Sequence, residues 1–429
     1  MREAEAGRHR WRPRTRAVAA AGLALALAAP LAACGSGDPG GAPTINLYYG
    51  PEQNLQKVVD DCNARAGGRY RIAYQVLPRQ ADDQRVQMAR RLAARDSAMD
   101  LLGLDVTWTQ EFASANWIRE WTGARKAEVE RGTLAGPLAT AQYQGKLYAA
   151  PKNTNVQLLW YRSDLVPRPP RTWDEMIQMS QQLKAEGKPY QVITMGAQYE
   201  GLVVLYNTLT ASAGGAIVSE DGKQAVFDPG AVKALGVLQR FASSGVTAPG
   251  FTNSVEDDAR LAFQSGDAAF QLNWPFVYPA MQEAAPDLAK KVRWARYPGV
   301  DAGTPSRVTI GGYNLAVSAY SRHPEESFDA AQCLRDAEHQ KFSAINDGVP
   351  PTIESVYAEP EMAKAYPMRD TILEELKDPA VRPRTPAYQN ISTVLSAALS
   401  PPSAIRPERT AAQLRKATRD ALESKGVLP

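Results

Sequence analysis

The first strand-like run of the chain, Thr44-Ile-Asn-Leu-Tyr-Tyr, stops at Gly50-Pro51, and from there two hydrophobic periods alternate. Residues 53–65 are predicted as a helix, 70–77 as a strand, 82–95 as a helix and 99–105 as a short buried strand. Strands and helices alternating at this spacing predict βαβ units on a parallel sheet. Residues 107–115 follow as a short helix, and the runs starting at Lys146 and Val156 are strand candidates around a polar Lys-Asn-Thr-Asn connection. Pro167–Pro170 interrupts the pattern, and Thr172-Trp-Asp-Glu then opens a helix with a threonine cap and an acidic first turn. Ser219-Glu-Asp-Gly-Lys reads as a turn with Asp-Gly at its tip; an EF-hand is excluded because further oxygen ligands are missing. Helices are expected from Asp228-Pro229 to Ser243 and over 255–264, then strands at 268–273 and at 308–318, the latter broken by paired glycines. The remainder reads as helical, with one helix over 325–342 and breaks at Pro350-Pro351, 383–386 and Pro401-Pro402.

Ahead of this body lies a different pattern. Arg8, Arg10, Arg12, Arg14 and Arg16 precede an apolar Ala/Leu/Val/Gly run from Ala17 to Ala29, and Leu31-Ala-Ala-Cys34 closes it. A basic head, a short apolar core and small residues before a cysteine mark a lipoprotein signal, with cleavage before Cys34 and lipidation of that cysteine. The apolar core is too short to span a hydrocarbon layer of about 30 Å. Residues 1–33 are thus expected to be a signal peptide and 34–43 a flexible Gly/Pro/Ser tether, with the body extracytoplasmic and anchored to the cell membrane. Removing six arginines and two glutamates leaves 43 basic and 44 acidic residues, a net charge of −1. That balance gives no reason to expect nucleic acid as a partner. Roughly 400 residues suit two domains rather than one. Cys62 and Cys333 remain after Cys34, an even pair that an oxidising compartment can bridge.

Candidate chemistry is mostly excluded. Only His323 and His339 follow Cys34, and HExxH, Walker A, Gly-x-Ser-x-Gly and Cys/His clusters are all missing. No cofactor, metal or catalytic residue is expected. Counting alone leaves a carboxylate pair open, as in an exported glycosidase using Asp105 and Glu256. Trp, Tyr, Asn, Asp and Gln at loop-like positions suit a sugar, which stacks a face on an aromatic ring and donates hydroxyl protons to carboxylates and amides.

Gly145-Lys-Leu-Tyr-Ala-Ala-Pro, Gln157-Leu-Leu-Trp-Tyr-Arg-Ser-Asp-Leu and Pro-Pro-Arg-Thr-Trp-Asp-Glu resemble the ABC-importer extracellular solute-binding proteins that take oligosaccharides. Gly136-Pro-Leu-Ala-Thr-Ala, Asn273-Trp-Pro-Phe-Val, Val308-Thr-Ile-Gly-Gly and Ala380-Val-Arg-Pro-Arg-Thr-Pro resemble, within that family, the trehalose-binding lipoproteins of mycobacterial importers, over essentially the whole body. The resemblance implies a two-lobed α/β fold of the periplasmic-binding-protein type, with crossing hinge segments and sugar in the interlobe cleft. Lobe I would comprise 44–154 with 308–351, and lobe II 155–307 with 352–429. The expected partners are a trehalose-like disaccharide, ABC permease subunits and the membrane through the N-terminal lipid, the protein itself being a monomer. Maltose, a longer glucan or a glycerophospho-compound are alternative ligands; an acidic cleft disfavours the anion.

Matched residue by residue, the resemblance implies ligand contacts at Asp105, Asn155, Glu256, Trp274, Gly311 and Arg382. Asp105 ends a buried strand, where open α/β sheets place ligands, although it could instead cap the following helix. Glu256 heads a helix, where the dipole alone would favour an acid. Trp274 would supply the stacking face, with a buried core tryptophan as the alternative, and Gly311 with Gly312 allows close backbone approach, flexing at the hinge or, equally, a plain strand bulge. Glu200, in a Gln-Tyr-Glu-Gly loop, is a weaker candidate. The loop Gly50-Pro-Glu-Gln-Asn is shorter than in the mycobacterial relatives, whose loop supplies an aspartate; Glu52 is expected to substitute. The stretch from Trp274-Pro275 to Val308 is shorter as well.

Overall fold

β1 (Thr44–Tyr49), β2 (Arg71–Val76) and β3 (Leu101–Asp105) form the parallel part of a five-stranded sheet in the order β2-β1-β3, continued beyond β3 by two later strands. The computed structural model describes residues 41–425; the signal segment and the lipidation site Cys34 lie outside them. β4 (Gln142–Tyr143) and β5 (Lys146–Leu147) make a small antiparallel pair, and β6 (Ala150–Asn155) closes the sheet beyond β11 (Gly311–Val317), which runs antiparallel to both its neighbours. A second sheet has the order β10-β7-β9-β8, from β7 (Leu158–Arg162), β8 (Gln191–Ile193), β9 (Ala268–Asn273) and β10 (Val292–Ala295). All six residues of β9 are buried, as a central strand covered on both faces requires.

Each sheet has its own core. Ile45, Leu47, Leu102, Trp121, Leu315 and Val317 pack around the first, and Leu158, Trp160, Leu205, Phe227, Phe270 and Leu395 around the second. Val308 and Ile310 belong to the second core although β11 belongs to the first sheet. The chain crosses between β6 and β7 and again between β10 and β11, and a third segment follows Gly348, where the Pro350 carbonyl accepts from the Thr154 amide at 3.0 Å. These are the two α/β lobes of a periplasmic-binding-protein fold.

Local signals explain many of the elements. Helix Leu55–Ala66 buries Leu55, Val58, Val59, Cys62 and Ala66 along one stripe and ends at Gly67 in the left-handed region. Thr172 caps helix Trp173–Ala185 by accepting from the Glu175 amide, and Asp228 caps helix Pro229–Ser243 through the Ala231 amide. Cys62 and Cys333 form a disulfide that joins helix Leu55–Ala66 to helix Pro324–Leu334, with Cα atoms 5.9 Å apart. Among the described residues no helix is long and apolar enough to cross a membrane.

Three expectations need correction. Lys152-Asn-Thr-Asn is not a connection but the later part of β6, where pairing with β11 buries most of its polar residues. The single helix over 325–342 is two, Pro324–Leu334 and Ala337–Asp347, because Asp336 turns out of the first and caps the second through the His339 amide. Glu200 does not sit in a loop: it opens helix Glu200–Ser212. Eleven of that helix's thirteen residues are buried, so no polar stripe marks a helical period.

Candidate functional site

Asp105 ends β3, between its parallel neighbour β1 and its antiparallel neighbour β11, where strand order reverses and ligands of open α/β sheets bind. The Thr107 amide and hydroxyl donate to Asp105 Oδ1 at 3.0 and 2.8 Å, a local turn rather than the helix cap the sequence also allowed, since helix Thr109–Ser114 has Trp108 at its N-cap. Oδ1 also accepts from Arg382 Nη2 at 3.3 Å; no described residue donates to Oδ2.

Asn155 ends β6 directly opposite Gly311, the first residue of β11. A Cβ on Gly311 would stand 3.1 Å from the Trp274 ring and 3.4 Å from Asn155 Cβ, so the indole lies against bare backbone. Gly312 has φ +125°, and a Cβ there would meet the Asn153 carbonyl at 2.4 Å; glycine is required. The Asn155 Oδ1 atom is buried and unpartnered. Trp274 follows β9, its amide donating to Asn273 Oδ1 at 2.8 Å, while Asn273 Nδ2 donates to the Glu256 carbonyl at 3.1 Å. That pair ties the start of helix Glu256–Gln264 to the end of β9. Burial raises the Glu256 carboxyl above its ordinary range, against its own backbone amide, the Tyr199 hydroxyl and the Trp274 indole. The Tyr199 hydroxyl is itself buried and faces Glu256 without a well-formed hydrogen bond to it.

Arg382 arrives from the C-terminal part of the chain. Ala380 pairs with Thr309, its carbonyl accepting from Ile310 at 2.9 Å and its amide donating to Val308 at 2.8 Å. The Arg382 side chain is 3% exposed. Nη1 donates to Glu200 Oε1 at 2.6 Å and Nη2 reaches Asp105 and the Ile310 carbonyl, while Nε is buried without a partner. Burial opposes its charge, but Asp105, Tyr388 and Glu200 outweigh burial and hold the guanidinium protonated. Glu200 is 14% exposed, and Tyr388 Oη at 2.5 Å and Ser392 Oγ also donate to it.

One chain of contacts thus links Asp105, Arg382, Glu200, Gly311, Asn155, Trp274 and Glu256, with contributions from both sheets. Glu52 is placed differently. Both its oxygens accept from Lys152 Nζ at 2.9 Å, and Oε1 takes Ser343 Oγ at 3.2 Å, which leaves the carboxylate committed inside the protein. Tyr199, Tyr388 and Ser392 are site neighbours that sequence reasoning missed. Only Tyr199 carried a signal, its place beside Glu200.

Among the described residues the His/Cys/acid group at metal-ligand spacing is Cys62, Cys333 and His339, and the disulfide takes both sulfurs. A cavity of about 550 Å³ lies elsewhere, against helices Leu55–Ala66 and Ala337–Asp347. Its Arg65 and Lys341 are already held by Asp61, Asp336, Glu338, Glu359 and Glu361, and none of the predicted ligand residues borders it.

Comparison with known proteins agrees with this fold. Residues 53–341 match the family described as bacterial extracellular solute-binding protein. A probable ABC transporter-binding protein of Deinococcus radiodurans is 30% identical over 337 residues, 75% of this chain and 79% of that one. Maltose-bound T. maritima MalE3 superposes with a TM-score of 0.80 at 27% identity, over 88% of this chain and 99% of that one. An ABC transporter solute-binding protein of Thermotoga lettingae bound with α-D-tagatose gives a TM-score of 0.77 at 22% identity, over 89% and 100%. This chain, with its two-lobed α/β fold, belongs to the bacterial extracellular solute-binding proteins, which bind rather than transform their ligands.

Proposed function

We propose that this protein is the sugar receptor of an ABC importer, and that its ligand is trehalose or a related α-linked disaccharide. The observation that carries the reading is the arrangement of Trp274 against Gly311 beside two acceptors without full protein partners, Asp105 Oδ2 and Asn155 Oδ1, with the Glu256 carboxyl next to the indole. A pyranose ring stacks its C–H face on an indole and donates hydroxyls to carboxylates. Micromolar affinity, about −8 kcal/mol, lies within reach of a few such bonds and one stack. The 27% identity to maltose-bound MalE3 supports an α-linked glucose disaccharide as ligand class. The resemblance of Asn273-Trp-Pro-Phe-Val, Val308-Thr-Ile-Gly-Gly and Ala380-Val-Arg-Pro-Arg-Thr-Pro to trehalose-binding relatives is the reason for naming trehalose ahead of maltose.

In this reading the ligand-contacting residues are Asp105, Asn155, Glu256, Trp274, Gly311 and Arg382. Sugar that touches both lobes favours their closed arrangement, which the permease subunits then recognise. Cys34 tethers the receptor to the membrane. The glycosidase alternative fails because the family binds without catalysis.

Calorimetric titration of the chain from Gly35 onward, with trehalose and maltose in parallel, tests the proposal. Saturable trehalose heat with maltose silent supports it. Maltose binding with trehalose silent replaces the ligand, and binding of neither discards the disaccharide.

A further inference from the structure

Glu200 and Arg382 are both buried at the site, yet their partners divide them. Every hydrogen bond to the Glu200 carboxylate comes from the second lobe: Arg382 Nη1 on Oε1, the Tyr388 hydroxyl on Oε1 and the Ser392 hydroxyl on Oε2. Helices Glu200–Ser212 and Tyr388–Leu399 carry Leu205 and Leu395 of the same core, so this carboxylate is enclosed by one rigid body. A carboxylate already accepting from three donors has little capacity left for a sugar hydroxyl. Arg382 is different. Its Nη1 is fixed by Glu200, but its Nη2 extends to Asp105 at the end of β3, in the other lobe. Other side-chain pairs bridge the same lobes, among them Gln389 Nε2 to Asp82 Oδ1 at 2.9 Å and Arg79 to Asp257 at 3.3 Å. The Arg79–Asp257 pair is exposed and contributes little, whereas Arg382 and Asp105 are screened from solvent.

We infer that Glu200 is a positioning residue which holds Arg382 extended from lobe II, and that Arg382 so held joins Asp105 of lobe I to favour lobe closure. Arg382 has two jobs that share one geometry: it faces the sugar and it bridges the lobes. A guanidinium without its Glu200 anchor retains several rotatable bonds, and ordering them on closure costs conformational entropy. Glu200 removes that cost in advance. The affinity part of this inference rests on the proposed sugar reading; the closure part does not.

The test compares four forms of the chain from Gly35 onward, which contains the whole compact unit from Ala42: wild type, Glu200→Gln, Arg382→Gln and the double variant. Small-angle scattering without sugar reads closure directly. Both single variants are expected to have a larger radius of gyration than wild type, and an unchanged radius in both overturns the inference. Melting temperature checks the fold. Arg382→Gln leaves a buried carboxylate without its counter-charge, so the double variant is expected to melt above it. Trehalose titration supplies the final readout. Glu200→Gln is expected to weaken binding by about tenfold and Arg382→Gln by about 100-fold, with the double variant no weaker than Arg382→Gln alone. A further tenfold loss in the double variant would mean that Glu200 touches the sugar itself, and would overturn its positioning role. If no form binds trehalose, the ligand proposal fails while scattering still decides the closure question.

Discussion

Two buried charge clusters near the C-terminal ends of neighbouring strands make an instructive pair. Glu52, just beyond β1, is met by Lys152, with side-chain exposures of 8% and 3%. Both carboxylate oxygens are taken by that one ammonium, and Ser343 adds a further donor. Asp105, at the end of β3, is met by Arg382, itself anchored on Glu200. The first cluster closes on itself; the second leaves Asp105 Oδ2 and Arg382 Nε without protein partners and spans both lobes. A buried ion pair that is complete holds one body together, whereas one that is incomplete and shared between bodies is suited to a ligand and to motion.

The sharpest break between the clusters comes from removing one charge of the closed one. Lys152→Met is expected to cost about 3–5 kcal/mol of stability in urea denaturation, because Glu52 stays buried and uncompensated, while affinity for sugar in the folded fraction stays near wild type. A large affinity loss with little destabilisation would show that Glu52 serves the ligand after all. Reducing the Cys62–Cys333 bridge, or replacing both cysteines by alanine, is expected to cost about 2–5 kcal/mol, read in the same way. Thiol titration of the denatured chain from Gly35 onward should find no reactive thiol until reductant is added. On the other side of the comparison, Asp105→Ala and Trp274→Ala are each expected to weaken trehalose binding by about 100-fold. Their melting temperatures should stay close to wild type, and wild-type affinity in both would remove the cleft assignment.

The smallest effect concerns His339, whose ring nitrogens meet the Cys333 carbonyl at 2.8 Å, Asp336 at 3.1 Å and Asp61 at 3.0 Å. Burial pulls its pKa down, but the Asp336 and Asp61 carboxylates and the Cys333 carbonyl win and raise it above 6.5. A histidine with a raised folded-state pKa stabilises fully below its unfolded value and loses that contribution as pH rises through the folded one. Wild type should therefore exceed His339→Gln in stability by under about 1 kcal/mol near pH 5.5, and by less near pH 8. An equal difference at both pH values would mean that the imidazole acts by packing alone.

Much of the first sheet was legible along the chain. Ile45 and Leu47 are apolar positions of a strand between turn signals, and Leu55, Val58, Val59 and Cys62 lie at helical spacing, so periodicity reports them. Helix Glu200–Ser212 was not legible, because it is buried nearly all round and presents no contrast between faces. The short strands β8 and β10 have three and four residues, too few for a period to show. The break at Asp336 went unread because a capping acid inside a helical pattern looks like any exposed acid until its neighbours are known.

By itself, the sequence determined the alternation of strands and helices, the caps at Thr172 and Asp228, and the absence of nucleophilic and zinc motifs. These follow from short-range sterics, hydrogen bonding and residue chemistry. Only the tertiary structure decided which acids remain available. Glu52 draws its partners from residues 100 and 291 positions away, Glu200 from 182 to 192 positions away, and Asp105 meets Arg382 across 277. Whether a carboxylate is saturated depends on donors that distant segments bring to it in space, and no local pattern around the acid contains that information.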